Sequence, residues 1–308
     1  MTTASVNFPA NSGARTLGIV AALVGGLLMS LDPIFIRLSG VSGFDTAFLF
    51  GLFTAISMPI FIQLRDERGL VKAITDSGWQ VVLSGLLMLG SAAGLVLSIK
   101  LTSVANTFVI LSATPALSAL FSWWLLKEIT SRATWLAIIA VIFGIAIVVS
   151  GSTQSGNWTG DLLALFSVIC LSLNQTQLRK YPHVSRMASV GFGGLFLAIV
   201  MFFLATPSSY SLNTWLIMAV MGLFTAPFGR VLAQVATRHI TAPEVGMILM
   251  IETVLAPLWA FGFFNEIPPL ASLVGGSIIF MTIALYAASA AKTDMKTDTS
   301  AEETVDDN

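Results

Sequence analysis

Ile110-Leu-Ser-Ala-Thr-Pro-Ala-Leu117, followed by Lys127-Glu128, returns 138 residues later as Ile248-Leu-Met-Ile-Glu-Thr-Val-Leu255, followed by Asn265-Glu266. A second pair lies nearer the start. Gly18-Ile-Val-Ala-Ala-Leu23, with Ser30, Asp32 and Arg37 after it, matches Gly160-Asp-Leu-Leu-Ala-Leu165, with Ser172, Asn174 and Arg179 after it, at an offset of 142. The change in offset is a difference in loop length. The chain therefore reads as one unit written twice, and the coincidence of Gly, Ser, Arg and Glu positions sets this apart from a chance likeness of apolar runs.

Each copy holds five apolar stretches, each about the 20 residues that a helix needs to cross a bilayer. They run over 16–38, 45–64, 78–99, 104–126 and 132–150, then 160–179, 186–205, 213–236, 243–264 and 270–290. They are too long for barrel strands, and lipid leaves no other way to satisfy backbone polar groups. The reading is an all-α integral membrane protein with ten transmembrane helices in two five-helix repeats, 16–150 and 160–290. A short N-terminal segment, 1–15, and an acidic tail, 291–308, read as solvated ends. Because five is odd, the second repeat enters from the opposite side, so the repeats are inverted.

Composition agrees. Of 308 residues, 56% are hydrophobic and 10% charged, against about 25% charged in soluble domains, and the mean hydropathy is +0.87. A net charge of −1 supplies no basic field for nucleic acid. The single cysteine, Cys170, excludes a disulfide framework and reads as a small buried residue. With the N-terminus in the cytoplasm, Arg15, Arg65, Arg68, Lys72, Lys127, Arg132, Arg179, Lys180, Arg186, Arg238, Lys292 and Lys296 all fall on that side. Only Arg37 and Lys100 fall outside, a bias that places both termini in the cytoplasm of a cell (inner) membrane.

Thr102-Ser-Val-Ala-Asn106, Ala113-Thr-Pro-Ala-Leu-Ser-Ala-Leu120 and Leu126-Lys-Glu128, paired with Ile251-Glu-Thr-Val-Leu-Ala-Pro-Leu258 and Phe264-Asn-Glu266, resemble the EamA family of the drug/metabolite transporter superfamily. The resemblance covers nearly the whole chain. It implies a ten-helix bundle around a central cavity and secondary transport of small metabolites, often amino acids. One departure stands out. Relatives often carry an arginine early in the second helix, whereas Phe44-Asp-Thr-Ala-Phe-Leu-Phe-Gly-Leu-Phe53 has none.

Ionisable groups at membrane depth cost about 2.5–3.5 kcal/mol each on insertion scales, so they face a cavity or a partner. Three stand out. Arg230 follows Pro227 and Gly229, where a broken helix beside a permanent charge suits a carboxylate or other anion, or an ion pair between helices. Gln234 shares its face. Glu252 lies mid-helix, able to pair with Arg230, bind an amine, take a proton or simply pack helices. Asp32, before Pro33, interrupts the first helix where its repeat partner is Asn174; a site near the outer interface would leave it merely solvated. Asn106 and Asn174 are weaker candidates, since such residues often only bridge helices. Glu244 suits a helix start, and Glu128 and Glu266 sit at helix ends.

Enzyme motifs are absent: there is no Walker loop, His183 and His239 have no zinc spacing, and no serine–histidine pair is evident. No cofactor or metal is expected. The leading expectation is a secondary transporter, working by alternating access, of a small polar metabolite, amino-acid-like or an organic anion, with export one direction to consider and proton coupling through Asp32 or Glu252 allowed. Its site would comprise Asp32, Asn106, Asn174, Arg230, Gln234 and Glu252. A membrane receptor or assembly subunit without flux is the alternative; the large exposed loops that it needs are missing.

Overall fold

A computed structural model describes residues 12–127, 132–153, 158–282 and 284–285. The first eleven residues, Glu128 and the acidic tail lie outside the described residues. Within them, seven helices are long and apolar enough to span a bilayer, and three shorter apolar helices complete ten spans.

The first span is two pieces, α1 (Ser12–Met29) and α2 (Asp32–Leu38). The second is α3 (Gly43–Arg65), which leads through the short connecting helix α4 (Gly69–Thr75) to the third, α5 (Trp79–Leu101). The fourth is again divided, into α6 (Val104–Leu111) and α7 (Thr114–Leu126). The fifth, sixth and seventh are α8 (Arg132–Thr153), α9 (Trp158–Lys180) and α10 (Arg186–Phe202). In the eighth, α11 (Leu212–Val220) and α12 (Ala226–Ala236) are joined by a π turn, Met221–Thr225. The ninth divides into α13 (Ala242–Leu249) and α14 (Ile251–Phe264), and the tenth is α15 (Leu270–Thr282).

The repeat is visible in how helices begin and end. Ser103 caps α6 by accepting from Asn106 N–H, and Thr241, 138 residues on, caps α13 by accepting from Glu244 N–H. Glu244 returns the bond to Thr241 N–H, closing a capping box, which is the helix-start role expected of it. At the far ends, Lys127 (φ 58°) and Asn265 (φ 53°), also 138 apart, both stop their helices in the left-handed conformation.

The two halves interleave rather than sit side by side. α1 packs on α12 and α5 on α9, while α3 packs on α10 and α7 on α13. Each pairing joins one repeat to the other, as a twofold relation between inverted halves requires. Gly25 and Gly229 make the first contact possible: a Cβ on Gly25 would lie 2.8 Å from Gly229 O. The largest buried cluster includes Phe48, Phe50, Val96, Phe108, Leu197 and Met218 from both halves. Large apolar side chains such as Leu136, Phe143, Phe203 and Leu212 point outward, as lipid-facing surface does. Trp79, Trp123 and Trp124 are exposed and Trp215 is half-buried, as amphipathic rings at membrane interfaces are. Cys170 is buried, as its apolar run implied.

Candidate functional site

The broken spans set the site. Pro33 has no N–H to donate, and the first span turns at Ser30 and Leu31 before restarting at Asp32. Asp32 thereby occupies the first turn of α2, where helix dipoles favour a carboxylate. Glu252 occupies the first turn of α14 for the same reason, just past the turn at Met250. Both are buried.

Arg230 reaches Asp32 from α12. Its Nη1 donates to Asp32 Oδ2 at 3.0 Å and to Ala226 O at 3.2 Å. The guanidinium also lies over the Phe50 ring, 4.7 Å from its centroid, a cation–π contact from the second span. The ion pair is therefore one-pronged, and Asp32 Oδ1 is buried without a hydrogen-bond partner. Arg230 is ion-paired to Asp32, not to Glu252, and Glu252 has no ion-pair partner among the described residues. Asp32 is not at a solvated interface: it is fully buried.

The eighth span differs from the expected broken helix. It stays helical through Pro227 by means of the π turn, which absorbs the missing donor. The freed carbonyl of Gly222 accepts from Thr54 Oγ1 at 3.2 Å and Ser57 Oγ at 3.5 Å, both on α3. That bond fixes the stretch of helix leading to Arg230.

The remaining candidates do not join this cluster by hydrogen bonds. Gln234, one turn along α12, donates Nε2 to Met88 Sδ at 3.2 Å and leaves Oε1 unpartnered. Asn174 accepts from Ser84 Oγ at 2.5 Å, and Ser84 is itself hydrogen-bonded to Ser189, so it bridges α9, α5 and α10. Asn106 lies apart from the cluster, beside the start of α9. Its Nδ2 donates to Thr102 Oγ1 and Asp161 Oδ1, each at 3.3 Å, and its Oδ1 accepts from Ser272 Oγ.

Asp161 is a fully buried carboxylate that the sequence reading passed over. It also accepts from Thr102 Oγ1 at 2.9 Å. Its place in the first turn of α9 made it look like an ordinary helix-start acid; the signal available was Thr102 and Asn106 at the same predicted end. Asp45 was likewise unremarked. It ties the start of α3 to the loop beyond α10, accepting from Thr206 N–H at 2.6 Å and Tyr210 Oη–H at 2.7 Å.

Both ends of the bundle carry an ion pair between repeats. Arg37 Nη2 meets Glu266 Oε2 at 3.2 Å, and Glu266 Oε1 accepts from Val104 N–H at 2.6 Å, capping α6 from the other half. At the opposite end Arg15 Nη2 meets Glu244 Oε1 at 2.9 Å. Between these ends, the spaces beside Glu252 and Arg230 are about 20 and 10 Å³, room for a water but not for a metabolite. The structure is thus contracted around the charged residues.

Comparison with known proteins agrees with this architecture. A crystal structure of 19% sequence identity shares the fold with a TM-score of 0.67, over 91% of this chain and 99% of that one. No curated protein sequence matches the chain. The model of the EamA-like transporter family matches twice, over residues 16–150 and 158–288, and so accounts for all ten spans. The chain belongs to the EamA-like transporter family and is a multi-pass membrane transporter rather than an enzyme.

Proposed function

We propose that this transporter moves a small, amine-bearing polar metabolite, amino-acid-like in size, by alternating access around Asp32, Arg230 and Glu252. One observation carries the reading: two carboxylates, Asp32 and Glu252, are buried, and the buried guanidinium of Arg230 is paired with only one of them, Asp32. An uncompensated carboxylate at this depth is costly, and the cost falls when it takes a proton or a substrate ammonium. Asp32 Oδ1 and the Glu252 carboxyl are the two acceptors on hand, while Arg230 can receive a substrate carboxylate once Asp32 lets go.

The inverted repeats supply the motion. Opening at one end while the other stays latched is the usual behaviour of such pairs, with the site at their interface. The division into repeats 16–150 and 160–290 supports this reading, as do the turns at 30–31, 112–113 and 250, which allow half-helices to tilt. The excess of arginine and lysine at the Arg15 end supports a cytoplasmic location for both termini in the cell membrane. Coupling to protons through Glu252, and net export, complete the proposal. Asn106, Asn174 and Gln234 are assigned to holding helices around the site.

Counterflow in proteoliposomes tests it. Radiolabelled amino acids, simple amines and organic acids would be compared, with and without a proton gradient. Exchange of at least one amine-bearing solute, lost on Glu252→Gln, is expected. Exchange restricted to organic acids, or undiminished by that substitution, sinks the proposal.

A further inference from the structure

A second polar region lies apart from the charged pair, at the end of the bundle that carries Arg15. There a cavity of about 480 Å³ opens between the end of α3, the start of α10 and the end of α12. This is the size range of small-molecule sites. Four arginines line it, Arg65, Arg68, Arg186 and Arg238, against two acids, Asp66 and Glu67. The lining has a net charge of +2.

The acids do not neutralise the four evenly. Arg68 takes Asp66 with both prongs, Nε to Oδ1 at 3.0 Å and Nη2 to Oδ2 at 2.9 Å. That bonding holds the Asp66 carboxyl below its ordinary pKa. Arg65 and Arg238 have no ion-pair partner among the described residues. Burial and the nearby charge of Arg68 push the Arg238 guanidinium below its usual pKa, with Asp66 opposing. Arg186 is buried and spends its donors on neutral oxygens: Leu178 O at 2.9 Å, Val184 O at 2.8 Å and Thr237 Oγ1 at 3.3 Å. Its donors are fully used in tying α9, α10 and α12 together, but no carboxylate cancels its charge.

Topology alone asks for basic residues at a cytoplasmic end. It asks for charge, not for concavity. Scattered exposed side chains such as Lys72 satisfy it. Here the arginines converge instead on one hollow whose floor includes Val231 and Val235 of α12. These two residues directly follow Arg230 and Gln234 in sequence, so whatever binds in the hollow rests on the helix that carries the internal charge.

We propose that this hollow is a binding site for a small organic anion bearing a carboxylate or phosphate group, held chiefly by Arg65 and Arg238. The anion comes either from a soluble metabolite or from a lipid headgroup. The inference concerns binding, not flux, and stands apart from the proposed amine transport.

Equilibrium titration of the full-length protein tests it. The protein is placed in nanodiscs of phosphatidylcholine, and inorganic phosphate and succinate are the probes. Saturable binding that weakens with salt is expected. The double variant Arg65→Gln/Arg238→Gln should weaken it at least about tenfold, a charge-assisted contact or more. Lys72→Gln, at the same end but outside the hollow, should leave it unchanged. Arg65 and Arg238 are exposed, with Arg238 Nη2 also donating to Val184 O at 3.3 Å, so an unchanged unfolding midpoint in each variant is required alongside the titration, and Arg65→Lys/Arg238→Lys should restore part of the affinity. Repeating the titration with phosphatidylglycerol in the nanodisc separates the sources. Competition by the lipid assigns the hollow to a headgroup; undiminished binding assigns it to a soluble anion. Absence of saturable binding to either probe, with no sign of bound phosphatidylglycerol, overturns the proposal. So does an equal loss on Lys72→Gln.

Discussion

Asp32, Arg230 and Glu252 stand on one side of the twofold relation; Asn174, Leu95 and Thr114 stand at the equivalent places on the other. Asp32 and Asn174 are 142 residues apart, and Thr114 and Glu252 are 138 apart. Arg230 is matched through packing: Gly229 meets α1 at Gly25, Gly94 meets α9 at Ser167, and the residues after these glycines are Arg230 and Leu95. The backbones agree where the side chains do not. The fourth and ninth spans both turn and restart, one with Thr114 and the other with Glu252 in the new first turn. Those breaks therefore belong to the fold. The first and sixth spans differ in backbone as well, because Pro33 is matched by Gln175, whose N–H continues the helix. A bundle that packs well around a neutral half-site does not need charges in the other half for packing. Their presence at a cost in lipid points to use.

Copying one half-site into the other gives the strongest tests. Arg230→Leu reproduces the neutral arrangement at one position only and strands Asp32. Removing one member of a buried pair costs about 3–5 kcal/mol, so a large drop in the thermal unfolding midpoint in detergent is expected, with exchange abolished. Adding Asp32→Asn, which extends the copy to two of the three positions, should recover most of that stability and none of the exchange. Recovery of exchange in the double variant would show that the pair is scaffolding.

The reverse copy, Thr114→Glu, places a carboxylate where no cation waits. Thr114 is buried, and its hydroxyl donates only to Leu111 O at 2.5 Å. The expected loss is about 2.5–3.5 kcal/mol, read in the same unfolding measurement. A neutral result would mean that the two half-sites are less different in their surroundings than in their residues.

Glu252→Thr, the matching copy in the other direction, should raise stability by up to about 2.5–3.5 kcal/mol, since it removes a buried carboxylate with no ion-pair partner among the described residues and places a side chain that the fold already accepts at Thr114. The loss falls on function: exchange should fall at least about tenfold and lose its response to a proton gradient. Parallel uptake curves for the variant and the unaltered protein across pH would remove Glu252 from the coupling role.

Much of this comparison was legible in the sequence. The spans, the repeat, and the intramembrane charges Asp32, Arg230 and Glu252 follow from hydropathy and offset alone. The partner of Arg230 does not, because it depends on which face of the first span meets the eighth, a matter of glycine contacts between repeats. The π turn was also hidden: Pro227 signals a lost hydrogen bond, but only Thr54 and Ser57, distant in sequence, show where the freed carbonyl is satisfied. Asn106 was legible as a buried polar residue but not as the neighbour of Asp161, since each sits at a helix start where its residue type is ordinary. A residue list ordered by hydropathy treats Asn106 and Asn174 alike, whereas packing sends them to different ends of the bundle.

The smallest effects are expected at the two end pairs, and these compare the halves at their rims. Glu266→Gln removes the ion pair to Arg37 but retains an oxygen for Val104 N–H, so the cap on α6 persists. Arg37 and Glu266 are 29% and 21% exposed, which limits the loss to about 1 kcal/mol, about fivefold in the ratio of closed to open states. Arg15 and Glu244 are more exposed, at 63% and 29%, and Glu244→Gln should change little beyond a few tenths of a kcal/mol. Hydrogen–deuterium exchange reads both. Amides in the first turn of α6 should exchange about fivefold faster in Glu266→Gln, while the first turn of α13 in Glu244→Gln should be nearly unchanged. Equal acceleration at both ends would mean that the two rims are held alike, and the difference between the halves would then be confined to the charged centre.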